Sequence, residues 1–254
     1  MPPERQTISV PGQALRVQVT DDDSRTLIDL ERGISYHSGS GAASETEQVY
    51  LSNSGVRDRL RSGLSTSVLE IGMGVGMGLL LTIDEALTAN TRLEYHAVEY
   101  RLLDRKLLKE LHMRDLLRSP ALEDEFLEWT ASLGSDPGEG TFHWQVSSTV
   151  QVKLHHCDAL EHDYVDGPQF DAIYFDPFDP RANPELWGAE FLRRMRGTLK
   201  PDGRLVTYCV NRQVKNALQA AGFHPRPVRG PAGGKREVMV ATIDEATAPF
   251  DSRI

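Results

Sequence analysis

The sequence has few cysteines and no long hydrophobic run. Its 254 residues include two cysteines, Cys157 and Cys209, both within apolar segments, which favours buried thiols over the disulfide-rich scaffold of a small secreted protein. The longest apolar stretch, residues 79–83, is far shorter than the ~20 residues that cross a bilayer. The N-terminus lacks a basic segment followed by an apolar one, the pattern of a secretory signal. We therefore expect a cytoplasmic protein without a membrane segment.

The composition is that of an ordinary globular enzyme, but the charge is unevenly distributed. Hydrophobic residues make up 39% and charged residues 26%, so a chain of this length can bury a full core. The net charge of −9 argues against a polyanionic partner. Residues 191–240, however, contain eleven basic and two acidic residues, a net charge of +9, which leaves −18 for the remainder. This segment predicts a local phosphate-binding surface, with scattered solvated side chains as the alternative.

From Ser67 onward, short apolar runs alternate with helical patterns, which predicts βα units that build a parallel sheet. The predicted strands are Val68–Gly72, Leu93–Glu99, Val150–Cys157, Phe170–Asp176, Arg204–Val210 and Glu237–Thr242. The predicted helices are Met77–Thr88, Leu102–Leu117, Pro184–Leu199 and Gln213–Ala221. Asn183 and Asn211 are suitable N-caps for the last two helices. The predicted fold class is α/β, with a mostly parallel, doubly wound sheet.

The residues outside this alternation have other patterns. Residues 7–19 and 26–36 alternate apolar with polar side chains and predict an N-terminal β extension. Residues 38–46 are rich in Gly, Ala and Ser and predict a loop. An acidic insertion at 123–139 predicts a helix followed by a mobile turn. The expected parts are the β extension with an entry loop or helix (1–65), a principal domain (66–245) and a C-terminal tail (246–254).

A glycine-rich segment follows the first predicted strand, in the order Glu70-Ile71-Gly72-Met73-Gly74-Val75-Gly76. Such glycines allow positive φ and close approach of a ligand, and the next helix begins with unpaired N–H groups. The spacing is not the G-x-G-x-x-G of dinucleotide-binding proteins. It resembles the first motif of class I methyltransferases, which implies a Rossmann-like fold and S-adenosylmethionine as cofactor, bound by Glu70, Gly72, Gly74 and Gly76. A glycine turn that serves packing alone is the alternative.

Two further acidic residues end predicted strands. Glu99 stands twenty-three residues after Gly76, where such folds place a carboxylate that accepts hydrogen bonds from ribose hydroxyls. Asp158 ends the third predicted strand, at the position that commonly contacts the adenine amino group in similar folds. Taken alone, Glu99 would be a solvated surface residue and Asp158 a turn or N-cap residue.

The fourth predicted strand leads into Asp176-Pro177-Phe178. Ligands of open α/β sheets bind beyond the carboxyl ends of the strands near the topological switch point, where this turn is expected beside the glycines. Asp-Pro-Phe resembles the Asp-Pro-Pro-Tyr motif of amino methyltransferases, in which a carboxylate and a carbonyl bind an amine and an aromatic ring packs against a base. An aliphatic amine has a pKa near ~10 and is mostly protonated at neutral pH. We therefore hypothesise that Asp176 is catalytic and takes up or relays this proton, beside the cofactor. A proline-stiffened turn is the alternative.

Residues 170–187 are similar to the family of bacterial tRNA 5-aminomethyl-2-thiouridine methyltransferases, which comprises the methyltransferase half of the MnmC-type bifunctional enzymes and the stand-alone MnmD form. Further matches follow in order over roughly residues 33–242. The resemblance implies N-methylation of the aminomethyl group of a wobble uridine in the anticodon of tRNA, without a metal. The substrate contacts that it implies are Glu45, Pro177, Phe178, Lys235 and Arg236. Because the chain ends soon after this core, we expect no flavin-binding oxidase half.

Other functions share these motifs. A spermidine-synthase-like aminopropyltransferase has the same glycine loop, ribose carboxylate and aspartate after the fourth strand, and it would prefer decarboxylated S-adenosylmethionine. Another small-amine N-methyltransferase would use the same site on a different acceptor. An RNA-binding adaptor with a vestigial pocket would bind tRNA and not the cofactor. Cofactor affinity and acceptor identity discriminate among these hypotheses.

Overall fold

The structure, a computed structural model, describes residues 5–29, 33–134, 137–164 and 169–246. Within these ranges the chain forms a four-stranded antiparallel sheet and an eight-stranded mixed sheet flanked by helices. The strands are β1 (Thr7–Ser9), β2 (Arg16–Val19), β3 (Arg25–Asp29), β4 (Ile34–Ser35), β5 (Thr66–Ile71), β6 (Leu93–Glu99), β7 (Gly140–Gln145), β8 (Val150–His156), β9 (Phe170–Phe175), β10 (Leu199–Thr207), β11 (His224–Arg229) and β12 (Glu237–Thr242). The α-helices are α1 (Ala42–Thr46), α2 (Val56–Arg61), α3 (Met77–Thr88), α4 (Arg105–Lys109), α5 (Ala121–Ser132), α6 (Ala189–Thr198) and α7 (Arg212–Ala220). A π-helical segment, Glu47–Ser52, continues α1, and a 3₁₀ turn, Met113–Leu116, precedes α5.

The large sheet has the strand order β11-β12-β10-β9-β5-β6-β8-β7. Its five central strands, from β10 to β8, run parallel, whereas β12, β11 and β7 are added antiparallel at the edges. The chain goes from β5 outward through β6 to β8 and then returns to β9 on the other side of β5. The carboxyl ends of β5 and β9 therefore meet at the topological switch point. The predicted mostly parallel, doubly wound sheet with an N-terminal β extension is confirmed.

The sheet is buried on both faces, as its sequence requires. Every residue of β9 is buried, in keeping with the near-continuous apolar runs of central parallel strands. On one face, α3 and α5 contribute Leu80, Phe126 and Trp129 to the core. On the other, α6 and α7 contribute Phe191 and Leu218. Among the described residues, no helix is both long and apolar enough to cross a bilayer.

Two predicted helices begin or end elsewhere. The helix predicted from Pro184, with Asn183 as its cap, is wrong at its start, since α6 begins at Ala189 after Gly188. The reason is Trp187, which packs edge-on against Phe175 with ring centroids 5.0 Å apart and so holds residues 184–187 in a turn. The helix predicted over 102–117 is divided into α4 and a 3₁₀ turn, because His112 between them has φ of 50°.

The cap predicted at Asn211 is confirmed, because its side chain accepts a hydrogen bond from the Val214 N–H at 2.8 Å. Residues 7–19 of the predicted β extension contain β1 and β2, and the segment 38–46, predicted as a loop, contains α1. Strands β7 and β11 were not predicted. Residues 30–32 of the β extension, 135–136 of the predicted turn and 247–254 of the tail lie outside the described residues.

Candidate active site

The loop between β5 and α3, residues 72–76 (the glycine loop), lies against the turn that follows β9. Gly72 has φ of +86°, and a Cβ there would stand 2.8 Å from the Asp176 carbonyl oxygen. Only glycine therefore permits this approach of the two backbones. The Asp176 N–H donates to the Ile71 carbonyl at 3.0 Å, which extends the β5–β9 pairing to the site. The glycine loop and Asp176 thus share one edge of the sheet.

The turn Asp176-Pro177-Phe178 (the acceptor turn) is fixed by side chains from later elements. Tyr208, just after β10, donates its hydroxyl to the Pro177 carbonyl at 3.1 Å. Trp187 donates its indole N–H to the Phe178 carbonyl at 2.8 Å. The Phe178 ring is 38% exposed and stands edge-on to Tyr36 of the N-terminal extension, with centroids 5.1 Å apart. The turn therefore presents a rigid backbone and an accessible aromatic ring.

Glu99 joins β6 to the glycine loop. Its carboxylate accepts hydrogen bonds from the Gly74 N–H and the Arg101 N–H, each at 2.8 Å. Burial raises the pKa of Glu99, and these backbone donors oppose the shift. A carboxylate offers about four acceptor positions, so two remain for a ligand. A pair of ribose hydroxyls, which donate, requires two acceptor positions of this kind.

A cavity of about 750 Å³ opens beside the glycine loop, beyond the carboxyl ends of β6 and β8. Gly74, Tyr100, Leu102, His156 and Cys157 are among its lining residues. Its volume lies within the range of about 300–1,000 Å³ typical of small-molecule sites. Met73 and Gly74 of the glycine loop line the cavity, whereas Glu99 reaches it only through its hydrogen bond to the Gly74 N–H.

Asp158 is partly buried beyond the end of β8 and is not among the residues that line this cavity. Its carboxylate accepts the Leu160 N–H at 2.8 Å, which is the turn role considered as the alternative. Contact of Asp158 with adenine stays a prediction.

Buried acidic groups surround the acceptor turn. Burial raises the pKa of Asp176 well above its usual value; Glu45 and Glu99 add to the shift, while Tyr50 and Lys235 oppose it. Burial also raises the pKa of Glu45, whose carboxylate accepts the Ser38 N–H at 2.7 Å. These groups bind protons more tightly than solvated carboxyls do.

Glu70 lies deepest in this group, at 3% exposure. Burial raises its pKa well above the usual value, with a further contribution from Asp176. One of its carboxylate oxygens has no hydrogen-bond partner among the described residues, and the same holds for the Tyr95 hydroxyl. The other oxygen would lie 2.5 Å from a Cβ on Gly78, so this glycine makes room for the carboxylate.

The two basic residues predicted to bind substrate have different surroundings. The Lys235 ammonium stands 4.1 Å from the centroid of the Tyr208 ring, which places it beside the acceptor turn. Arg236 is exposed. Elsewhere in the basic segment, Lys200 pairs with Asp171 at 2.9 Å, at the amino end of β9. Lys200 therefore lies away from Lys235, so residues 191–240 do not all contribute to one phosphate-binding surface.

Sequence reasoning assigned no role to Tyr50 or Tyr208, although both lie against the acceptor turn. Tyr50 is 2% exposed, and among the described residues no hydrogen-bond partner lies within bonding geometry of its hydroxyl. The hydroxyl is nevertheless close enough to Asp176 to lower the pKa of that carboxyl group. The two tyrosines lie far from Asp176 in sequence, and no local pattern indicates such contacts. Among the described residues, no group of three or more His, Cys, Asp or Glu side chains is arranged to hold a metal ion.

Comparison with known proteins gives consistent matches. Residues 129–244 match a family model described as S-adenosyl-L-methionine-dependent methyltransferase. The chain is 29% identical over 244 residues to the "tRNA 5-methylaminomethyl-2-thiouridine biosynthesis bifunctional protein MnmC" of Aromatoleum aromaticum, covering 94% of this chain and 37% of that protein. It is 30% identical over 218 residues to the protein of that name from Idiomarina loihiensis, covering 80% of this chain and 34% of that protein.

The fold is similar to that of a solved structure, MNMC2 from Aquifex aeolicus. The TM-score is 0.73 at 25% identity, and the match covers 95% of this chain and 74% of that one. The chain spans about a third of the length of the curated relatives it matches. The family resemblance noted in the sequence is therefore confirmed for the methyltransferase part.

Proposed function

Since the chain belongs to the S-adenosyl-L-methionine-dependent methyltransferases, we propose that it N-methylates the aminomethyl group of a wobble uridine in tRNA. The observation that carries this proposal is the contact of the acceptor turn with the glycine loop, where a Cβ on Gly72 would stand 2.8 Å from the Asp176 carbonyl. This contact brings a carboxyl group of raised pKa against the glycine loop, in which Met73 and Gly74 line a cofactor-sized cavity. The names of the relatives, which concern 5-methylaminomethyl-2-thiouridine in tRNA, support the choice of acceptor.

The glycine loop and Glu99 would hold the cofactor. The two free acceptor positions of the Glu99 carboxylate suit the ribose hydroxyls, and Gly72, Gly74 and Gly76 keep the loop free of side chains where the ligand approaches. The buried Glu70 carboxylate, with one oxygen unpaired among the described residues, would order the start of the loop. When bound, S-adenosylmethionine supplies a methyl group already activated by its sulfonium. The protein then has to orient the acceptor and exclude water.

Asp176 would prepare the acceptor amine. A protonated amine has no free lone pair, so it must lose a proton before it can be methylated. Burial of Asp176 raises the pKa of its carboxyl, which makes the carboxylate a stronger proton acceptor than a solvated one. The same burial destabilises the charged form of an amine beside it. Both effects favour transfer of the proton from the amine nitrogen to a carboxylate oxygen of Asp176.

Aromatic side chains would hold the base. Phe178 is exposed at the tip of the acceptor turn and Tyr36 stands edge-on to it, so the pair offers apolar surface for a pyrimidine ring. Tyr36 belongs to the N-terminal extension, which contacts the site from outside the large sheet. We propose accordingly that residues 1–65 complete the acceptor side and that residues 66–245 form the methyltransferase domain. A tRNA substrate would place the reaction in the cytoplasm.

The proposal is tested by incubating the protein with labelled S-adenosylmethionine and tRNA from cells that lack wobble-uridine methylation. Nucleoside mass spectrometry should detect label in a methylaminomethyl uridine, and tRNA that already carries the methyl group is the control. Decarboxylated S-adenosylmethionine is supplied in a parallel reaction. Transfer of an aminopropyl group to a polyamine would replace the proposed function with the alternative one. Cofactor binding without label in any RNA would refute the choice of acceptor.

A further inference from the structure

A second cavity, of about 550 Å³, opens beside residues 179–181, which directly follow the acceptor turn. It lies beyond the carboxyl end of β10 and before α7, and its lining includes Arg181, Tyr208, Asn211, Gln213 and Lys235. It shares no lining residue with the cavity beside the glycine loop. The second cavity is therefore distinct from the cofactor-sized one, and Tyr208 in its lining bonds to the acceptor turn.

The lining of this second cavity has the chemistry of an anion site. Arg181 is exposed, and neither Arg181 nor Lys235 forms an ion pair within the described ranges. The one carboxylate in the lining, Asp179, accepts the backbone N–H of Arg181 at 2.9 Å. Two cations that form no close ion pair thus face a space whose lining holds a single acid, although Lys235 also interacts electrostatically with the buried carboxyl groups of Asp176 and Glu45. An arginine and a lysine in this arrangement suit a phosphate oxygen pair and a point contact, respectively.

Neutral donors add to the same cavity. The Asn211 side-chain oxygen is occupied by the Val214 N–H at 2.8 Å, so its amide NH₂ remains available to a ligand. Gln213 adds a second amide, and both stand at the start of α7, whose N-terminal end carries a partial positive charge. These groups reinforce the two cations and do not carry the inference alone.

Lys235 lines the second cavity and also interacts electrostatically with Asp176 in the acceptor turn. Its ammonium packs on the Tyr208 ring at 4.1 Å, and the Tyr208 hydroxyl donates to the Pro177 carbonyl at 3.1 Å. One side chain therefore connects the second cavity to the backbone of the acceptor turn. An anion bound by Lys235 would therefore lie near an amine bound by Asp176. The separation between the two is comparable to that between the base and the phosphate of one nucleotide.

We propose that the second cavity binds a backbone phosphate of the RNA adjacent to the acceptor nucleotide, through Arg181 and Lys235. This inference rests on the proposed function and adds the group that positions the substrate. Phosphate contacts fix the register and orientation of a nucleic acid, whereas base contacts select the nucleotide. With the phosphate held at the second cavity, the base reaches Phe178 and the aminomethyl group reaches Asp176.

The test measures binding of an unmodified anticodon stem-loop RNA by fluorescence anisotropy over a range of salt concentrations. Arg181→Ala and Lys235→Ala are each expected to weaken binding by about tenfold or more. Each should also reduce the slope of log affinity against log salt by about 0.7–0.9, the contribution of one phosphate contact. Arg92→Ala is the matched control, because Arg92 is exposed and lies at the amino end of β6, whereas the site lies at the carboxyl ends of the strands. It should change neither quantity.

Folding of each variant is checked by calorimetric titration with S-adenosylmethionine. Affinities and salt slopes of Arg181→Ala and Lys235→Ala that equal those of the wild type and Arg92→Ala would overturn the inference. A lower affinity with an unchanged salt slope would overturn it too, because a lost phosphate contact must release fewer counterions. Failure of the proposed function has a different outcome, in which the wild type binds the stem-loop with the full slope but methylates no RNA.

Discussion

Substitution of Gly72 by alanine tests the contact between the glycine loop and the acceptor turn. Gly72 has φ of +86°, and the new Cβ would stand 2.8 Å from the Asp176 carbonyl oxygen and 3.2 Å from its carbonyl carbon. The left-handed conformation costs a non-glycine residue about 1–2 kcal/mol. Overpacking against backbone atoms adds about 1–3 kcal/mol. We therefore expect the free energy of unfolding to fall by about 2–5 kcal/mol.

Gly63→Ala separates the two contributions. Gly63 has φ of +73°, and a Cβ there would meet nothing within 4 Å. The Gly63→Ala variant should therefore lose only the part of the unfolding free energy that comes from the left-handed conformation. Urea unfolding of both variants, followed by calorimetric titration with S-adenosylmethionine, gives the comparison. Gly72→Ala should also weaken cofactor binding, because the loop must move away from the turn. Equal losses of unfolding free energy in the two variants, with equal cofactor affinity, would refute the reasoning.

Three further substitutions probe the charged groups. Glu99→Gln should weaken the binding of S-adenosylmethionine by about 1.5–3 kcal/mol, measured by calorimetry, since an amide nitrogen cannot accept hydrogen bonds. An unchanged affinity would show that Glu99 does not bind the cofactor. Lys235→Met should move the acidic limb of the pH profile of the methylation rate to higher pH, because Lys235 lowers the pKa of Asp176 and the carboxylate is the reactive form. Lys235→Arg, which keeps the charge, should leave that limb in place. His155→Gln should reduce the loss of stability in acid. Burial and neighbouring cations lower the pKa of His155 to about 3, so its stability contribution is present above the unfolded value near ~6.5 and is lost as pH falls toward the folded value. Denaturant unfolding at several pH values measures this, and equal acid sensitivity in wild type and variant would contradict it.

The sequence predicts the central part of the fold because local patterns determine it. The strands β5, β6 and β9 are buried along most of their length, and β8 alternates buried apolar with partly exposed polar residues. The positions of Gly72, Gly74 and Glu99 follow from where β5 and β6 end. Strand β11 escapes prediction because its six residues include Pro225 and Pro227. Proline is excluded from central strands and tolerated at a sheet edge, which is where β11 lies.

The contacts that complete the site were not predictable in the same way. Tyr36, Tyr50 and Tyr208 reach the acceptor turn from elements far away in sequence, and only the three-dimensional arrangement brings them together. Trp187 had a local consequence, since its burial delays the start of α6. Its hydrogen bond to Phe178 explains why tertiary packing overrides a good cap at Asn183.

We propose that Asp176 acts on the acceptor amine and does not merely shape the turn. The most direct measurement compares Asp176→Asn with the wild type in methyl transfer to tRNA under single-turnover conditions, with S-adenosylmethionine affinity measured separately. Asparagine keeps the size of the side chain but cannot take up the proton. We expect unchanged cofactor affinity and a methyl-transfer rate lower by roughly a hundred- to ten-thousand-fold. A variant that binds the cofactor normally and transfers methyl groups at the wild-type rate would contradict it.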